Sequence, residues 1–169
     1  MGGGARGRPP PISDVVSYNT LAKGYAQRGD ADGPLQAIAR MRKRGLMPNS
    51  ITFNTAMDAA VRSGQSARAF TLLAEMRASG LRPDKFTCSI LVKGLSRGSC
   101  TAEQVDVALD LLQEHDRALD ATLRSTLYHA VLEAAAQRPE VGPALAAKAF
   151  AQMRKHSVAP STAAQRLMV

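Results

Sequence analysis

The chain has 169 residues, with 22 Lys+Arg against 14 Asp+Glu and a formal net charge of +8. That length holds one ordinary domain or a short repeat array, and the positive balance favours a polyanionic partner, nucleic acid ahead of an anionic membrane surface. Two cysteines, Cys88 and Cys100, exclude a disulfide scaffold, no stretch approaches the roughly 20 apolar residues of a membrane span, and the Ala-rich, 4% aromatic, Trp-free composition points to helices.

Residues 1–14 read as a disordered leader, or as the ragged start of a fragment. Met1–Pro11 is rich in Gly and Pro, carries Arg6 and Arg8, and has no apolar stretch, so it is not a secretory signal. Repetition begins at Val15. Val15-Val16-Ser17-Tyr18-Asn19-Thr20-Leu21 returns 35 residues later as Ser50-Ile51-Thr52-Phe53-Asn54-Thr55-Ala56. Gly29, Met41, Arg42, Gly45, Leu46 and Pro48 return as Gly64, Met76, Arg77, Gly80, Leu81 and Pro83. Two gap-free units run over 15–49 and 50–84.

Each unit reads as two helices. Tyr18, Leu21, Ala22 and Tyr25 share one face of a helix near 17–28. Gly29 stops it, Asp32 is the expected N-cap of the next helix, and Pro34 fits that helix's first turn. Leu35, Ile38, Ala39 and Met41 form the second stripe, near 34–44, closed by Gly45 and Pro48. The second unit repeats this with Phe53, Ala56, Met57 and Ala60, then Phe70, Leu73 and Met76, predicting helices near 52–62 and 66–79. A third, divergent unit covers 85–120, with a longer middle turn over Ser99–Val107 and no Gly-x-x-Pro ending. A fourth covers 121–161, with an insertion around Pro139–Pro143. Its Ser125-Thr126-Leu127 aligns with Asn19-Thr20-Leu21, and its Met153, Arg154 and Pro160 with Met41, Arg42 and Pro48. Residues 162–169 are a tail or the start of a further unit. One such hairpin cannot bury its apolar faces alone, whereas stacked copies can, so the expected fold is an all-α, right-handed α-solenoid of about four hairpins.

A tetratricopeptide repeat has a similar period but expects a Trp-Leu-Gly-Tyr pattern that this chain lacks. Val-Val-Ser-Tyr-Asn-Thr-Leu, then Gly-Asp, then Met-Arg-x-x-Gly-Leu-x-Pro-Asn resembles the pentatricopeptide repeat (PPR) family instead. The resemblance is strong over Val15–Asp84 and weaker over Lys85–Ser161. It implies a non-catalytic organellar protein, of mitochondrion or chloroplast, that reads single-stranded RNA at one base per repeat without a cofactor.

Carried over residue by residue, the resemblance implies base-edge pairs Asn19 with Asn49, Asn54 with Asp84, Ser89 with Asp120, and Ser125 with Ser161. It implies base-stacking wedges at Val16, Ile51, Phe86 and Thr122. The family pattern gives a cytosine-like preference to the first pair, uracil to the second and guanine to the third; the fourth pair is not a standard one. Read without the family, Asn, Asp or Ser around a helix start also serves N-capping, and Val16, Ile51 and Phe86 also serve as hydrophobic staples. Recurrence at the offset of 35 favours base contact in the first two units, and both readings stand for the others.

Residues 1–100 hold 15 Lys/Arg against 6 Asp/Glu, whereas residues 101–169 hold 7 against 8. Lys23 and Lys93, each four residues beyond a reader, are the candidate phosphate contacts. The run Arg40, Arg42, Lys43, Arg44 lies on a second helix and reads first as helix-end charge. His115, His129 and His156 have no partners at metal-ligand spacing, and no nucleophile motif, phosphate loop or H-x-E…C-x-x-C signature is present. Cys88, in the Tyr18 and Phe53 position, reads as a packed thiol. The expected partner is therefore single-stranded RNA, with no membrane insertion. The alternatives are a helical-repeat scaffold for protein partners, or a fragment of a longer array.

Overall fold

A computed structural model of the chain describes residues 11–96, 100–137, 140 and 142–160. Among the described residues eight α-helices follow in order: α1 Pro11–Gln27, α2 Gly33–Lys43, α3 Ser50–Arg62, α4 Ser66–Ala78, α5 Lys85–Leu95, α6 Ala102–His115, α7 Ala121–Ala136 and α8 Gly142–Lys155. One 3-10 turn, Asp116–Ala118, precedes α7. No strand occurs among the described residues. Helices pair as α1/α2, α3/α4, α5/α6 and α7/α8. The first helices α1, α3, α5 and α7 also pack on one another in succession, forming one continuous layer. This is an α-solenoid of helical hairpins.

The punctuation is local chemistry. Gly29, Gly45, Gly64 and Gly80 take φ between 71 and 76°, a left-handed conformation that glycine adopts without a side-chain clash. Behind Gly45 and Gly80, Leu46 N–H returns to Met41 C=O at 2.9 Å and Leu81 N–H to Met76 C=O at 3.1 Å, closing the helix ends. At the starts of α3 and α5, Asn49 and Asp84 are extended and cap through reciprocal bonds with Thr52 and Thr87.

The core runs through the stack. Phe53, Met57, Met76, Leu91, Leu109, Leu112 and Leu132 are buried, each contributing about 1.5–3 kcal/mol of transfer free energy. Cys88 is packed among them, and burial, with a smaller push from Glu114, raises its thiol to about 12. Ion pairs tie the outer helices together: Arg42 to Glu75 at 3.2 Å, Arg68 to Asp32 at 2.7 Å, and Lys148 to Asp106 and Asp110 at 2.6 and 2.8 Å.

Several expectations are corrected. Helix α1 begins at Pro11, inside the expected leader, because proline suits the first turn of a helix, where the missing N–H costs nothing. Asp32 holds the N-cap position of α2 as expected, but its side chain makes no capping bond; Asp30 Oδ1 instead accepts the N–H groups of Asp32 and Gly33 at 2.9 Å each. Leu21 is 38% exposed, although Ala56, Leu91 and Leu127 at its register are buried, since no described helix packs on the leading side of α1. Ala39 is exposed and Ala37 buried in its stead. The expected long turn over Ser99–Val107 ends early, because Thr101 and Gln104 form a capping box that starts α6 at Ala102.

Candidate nucleic-acid interface

The groove is built on the first helices. Asn19, Asn54, Ser89 and Ser125 occupy the same register of α1, α3, α5 and α7 and are all half-buried. Beside them, Val16, Ile51 and Phe86 are 58%, 62% and 62% exposed. These are three of the five large hydrophobic side chains exposed among the described residues, and they recur at a single register. Apolar groups held in water at a fixed repeat distance have no role in the core. Thr122, at that register in α7, is also exposed.

The first two pairs form matching networks. Asn19 Nδ2 donates to Asn49 Oδ1 at 3.3 Å. Thr52 Oγ1 lies 2.6 Å from Asn19 Oδ1 and 3.0 Å from Asn49 Oδ1, and its single proton serves the shorter contact. Thr52 N–H donates to Asn49 Oδ1 at 3.1 Å. One unit on, Asn54 Nδ2 donates to Asp84 Oδ1 at 3.2 Å, Thr87 Oγ1 donates to Asn54 Oδ1 at 2.7 Å, and Thr87 N–H donates to Asp84 Oδ1 at 2.8 Å. Partial burial pushes the Asp84 carboxyl up. Hydrogen bonds from the Thr87 backbone and hydroxyl, Asn54 and the Phe86 backbone outweigh that push and hold it below its ordinary value. Asp84 is therefore a charged acceptor near neutral pH.

A cavity of about 660 Å³ opens beside the second of these pairs, lined by Lys23, Ile51, Asn54, Asp58, Asp84 and Phe86 among others. Ile51 and Phe86 both border it, with the Asn54/Asp84 pair on its lining. Lys23 and Lys93 are exposed on α1 and α5, one turn beyond Asn19 and Ser89. Asp58 stands at their register on α3 and is ion-paired with Arg62 at 2.7 Å.

The divergent half differs. Asp120 caps α7 by accepting Leu123 N–H at 2.8 Å, and shares no hydrogen bond with Ser89 among the described residues. Ser125 Oγ lies 3.5 Å from His129 Nδ1. Ser161 lies outside the described residues. The basic run behaves as helix-end charge: Arg42 pairs with Glu75, and Arg44 sits over the Tyr18 ring at 5.8 Å. No group of three His, Cys, Asp or Glu among the described residues can hold a metal ion. No helix among them is long and apolar enough to cross a membrane.

Sequence reasoning missed Thr52 and Thr87. The signal was present as Asn49-x-x-Thr52 and Asp84-x-x-Thr87, an N-cap with a hydroxyl three residues on, repeated at 35. Asp58 was also missed, because it does not recur: Lys23 and Lys93 replace the acid in the flanking units, although its partner Arg62 returns as Arg97.

The profile of the PPR repeat family matches residues 13–60 and 48–97, just over half the chain. The chain belongs to the PPR repeat family. Among curated proteins it is similar to the pentatricopeptide repeat-containing protein At2g39620 of Arabidopsis thaliana, 43% identical over 42 residues, which is 25% of this chain and 5% of that protein. Among solved structures, this PPR chain is similar to the pentatricopeptide repeat protein PPR10 in complex with an 18-nt psaJ RNA element. The TM-score is 0.53 at 22% identity, covering 99% of this chain and 26% of PPR10. A crystal structure of PPR10 from maize matches with a TM-score of 0.46 at 22% identity, over 95% of this chain and 27% of that one. The chain thus spans about a quarter of the length of PPR10 and a small part of the curated relative.

Proposed function

We propose that this PPR chain binds single-stranded RNA without catalysis, seating one base at each junction between units. The observation that carries this is the recurrence, at the same register, of an exposed apolar side chain beside a hydrogen-bonded polar pair: Val16 and Ile51 around Asn19/Asn49, Ile51 and Phe86 around Asn54/Asp84. Apolar and aromatic faces take base planes, and polar pairs take base edges. PPR10, a protein of the same fold, is described in complex with RNA.

The bonds already made decide which groups remain for a base. Asn49 Oδ1 is occupied by Thr52 N–H and Asn19 Nδ2, which turns the Asn49 amide N–H groups outward. With the second N–H of Asn19, the first site offers donors. Cytosine presents two adjacent acceptors, N3 and O2, that suit it. At the second site, Asp84 Oδ1 takes Thr87 N–H and one Asn54 N–H is shared between Oδ1 and Oδ2 at 3.2 and 3.4 Å, leaving a lone pair of Oδ2 as an acceptor with the second Asn54 N–H as a donor beside it. Uracil presents N3–H next to carbonyl acceptors, and fits that set. At the third, Asp120 Oδ2 is left to accept from guanine N1–H and N2–H₂, and the short Ser89 leaves room for a purine. Lys23 and Lys93 supply phosphate contacts, which carry affinity and no sequence information. Organellar RNA metabolism, in mitochondrion or chloroplast, is the setting the family implies.

Selection from a random single-stranded RNA pool tests the proposal. Cytosine and uracil should be enriched at neighbouring positions, with affinity falling as salt rises. A pool showing no enrichment, together with recovery of a stable protein partner, replaces this reading with a helical-repeat scaffold.

A further inference from the structure

The reading amides are held at two points each. Thr52 Oγ1 donates to Asn19 Oδ1 while Asn19 Nδ2 donates to Asn49 Oδ1. Thr87 Oγ1 does the same for Asn54, whose Nδ2 donates to Asp84. The direction of each hydroxyl is itself determined. Thr52 Oγ1 accepts Asn49 N–H at 3.2 Å and Thr87 Oγ1 accepts Asp84 N–H at 3.1 Å, and the one O–H proton of each goes to the nearer oxygen: Asn19 Oδ1 at 2.6 Å against Asn49 Oδ1 at 3.0 Å, and Asn54 Oδ1 at 2.7 Å against Asp84 Oδ1 at 3.1 Å. Both threonines are fully buried, where water does not compete for the bond.

The two ends of a carboxamide are nearly equal in size, so packing does not choose between them; hydrogen-bond polarity does. An amide held only through its N–H still rotates about its side-chain torsions. Held at both ends, it presents one N–H to the groove in a fixed direction. We infer that Thr52 and Thr87 are positioning residues that orient the base-reading amide of the preceding unit, so that discrimination at each site depends on a third side chain supplied by the next unit. This rests on the RNA-reading function proposed above.

The third junction supplies the contrast. Leu123 stands where Thr52 and Thr87 stand in their units. No hydroxyl is present there to reach back to α5, and α7 has a one-way cap in place of a capping box. That junction lacks the orienting device, and its base discrimination is the weakest of the first three.

The test compares the full chain with Thr52→Val, which removes the hydroxyl, and Thr52→Ser, which keeps it. Binding is measured to four short RNAs that differ only at the base facing Asn19/Asn49. Thr52→Val should lose about three- to tenfold of the preference for cytosine, the equivalent of one neutral hydrogen bond. Preference at the base facing Asn54/Asp84 should hold, and Thr52→Ser should restore the loss. Equal weakening on all four RNAs means that Thr52 is only a cap, and overturns the inference. The side-chain amide signals of Asn19 in the free protein give a readout that needs no RNA. They should shift and exchange faster in Thr52→Val, and unchanged signals overturn the orienting role even where RNA binding itself fails. Should Thr52→Val not fold, Ser89→Asn with Leu123→Thr builds the missing device at the third junction. The double variant should gain a uracil preference several-fold stronger than Ser89→Asn alone, and equal preferences overturn the inference.

Discussion

Arg124 lies with its Nε 3.2 Å from Asp116, whose side chain is only 4% exposed. Its register in α7 is the one filled by Tyr18, Phe53 and Cys88 in the other units. A charge therefore enters the apolar row, and it is matched. Arg124 Nη2 also donates to Leu119 C=O at 3.0 Å, and His156 Nδ1 is 2.7 Å from Asp116 on its other side. The cluster fastens α7 and the end of α8 to the 3-10 turn where the Gly-x-x-Pro ending is missing. Beside it, burial and the nearby Asp116 raise the Tyr128 hydroxyl to about 12, with Arg124 pulling the other way.

Asp116 is the buried member of the cluster, whereas Arg124 and His156 are half-buried, so removing Asp116 leaves their charge poorly compensated. Asp116→Ala should cost about 1–3 kcal/mol, less than for a fully buried ion pair because Arg124 keeps some access to water. Arg124→Leu with Asp116→Ala should recover part of that loss, because no unpaired charge remains. Urea unfolding of the single and double variants measures both; a double variant no more stable than Asp116→Ala places the cost in the fold around Asp116 and not in its charge.

Ser157 takes φ 55° at the position of Gly45 and Gly80, four residues after the repeat's methionine. Val158 N–H returns to Met153 C=O at 2.8 Å, as Leu46 does to Met41. The turn is the same, but a residue with a Cβ has been placed in its left-handed step. Ser157→Gly should raise stability by about 1 kcal/mol, the order of the steric cost relieved. A thermal midpoint that stays level or falls in this variant counts against it.

What was legible in the sequence was whatever repeats. Glycine stops, the two apolar stripes and the pairs Asn19/Asn49 and Asn54/Asp84 all recur at 35 and were readable without coordinates. What failed was either unrepeated or carried by contacts between residues far apart in the chain. Asp30 and Asp32 are chemically alike, and only backbone geometry decides which carboxylate reaches the start of α2. The Asp116–Arg124–His156 cluster is assembled from three separated segments, and no spacing announces it. Thr52 was passed over because a threonine inside a first turn is ordinary; its value comes from an asparagine 33 residues earlier that its hydroxyl meets across the junction.

The Asp84 carboxyl is held below the ordinary 3.8, because its bonds to Thr87, Asn54 and Phe86 outweigh burial. A carboxyl depressed by folding contributes stability that is complete above the unfolded value and is lost as pH falls through the folded one. The stability gap between the wild type and Asp84→Asn should therefore be level near neutral pH and shrink below about pH 4. Urea midpoints measured from about pH 2.5 to neutrality report this gap. A gap that widens on acidification would falsify the assignment of Asp84 as the depressed group.

Asp58 interrupts the cationic register of Lys23 and Lys93 along the groove, and its carboxylate occupies Arg62 at 2.7 Å. If phosphates track this register, Asp58 repels them and withholds a guanidinium from them. Asp58→Asn removes the repulsion and releases Arg62 while leaving the Asn19/Asn49 and Asn54/Asp84 pairs intact. Affinity for single-stranded RNA should rise at low salt by a similar factor for every sequence. The slope of log affinity against log salt should steepen by about 0.7 for each additional phosphate neutralised on a single strand. Lys23→Gln should do the reverse, lowering affinity for all sequences alike and flattening the slope. The i,i+4 pair itself is exposed and is worth only about 0.3–0.5 kcal/mol to the helix, so folding should be nearly unaffected. Base preference at Asn54/Asp84 should not move in either variant, since phosphate contacts do not distinguish bases. An unchanged salt slope in Asp58→Asn would place the phosphates off this register and leave Asp58 and Arg62 as an ordinary surface pair.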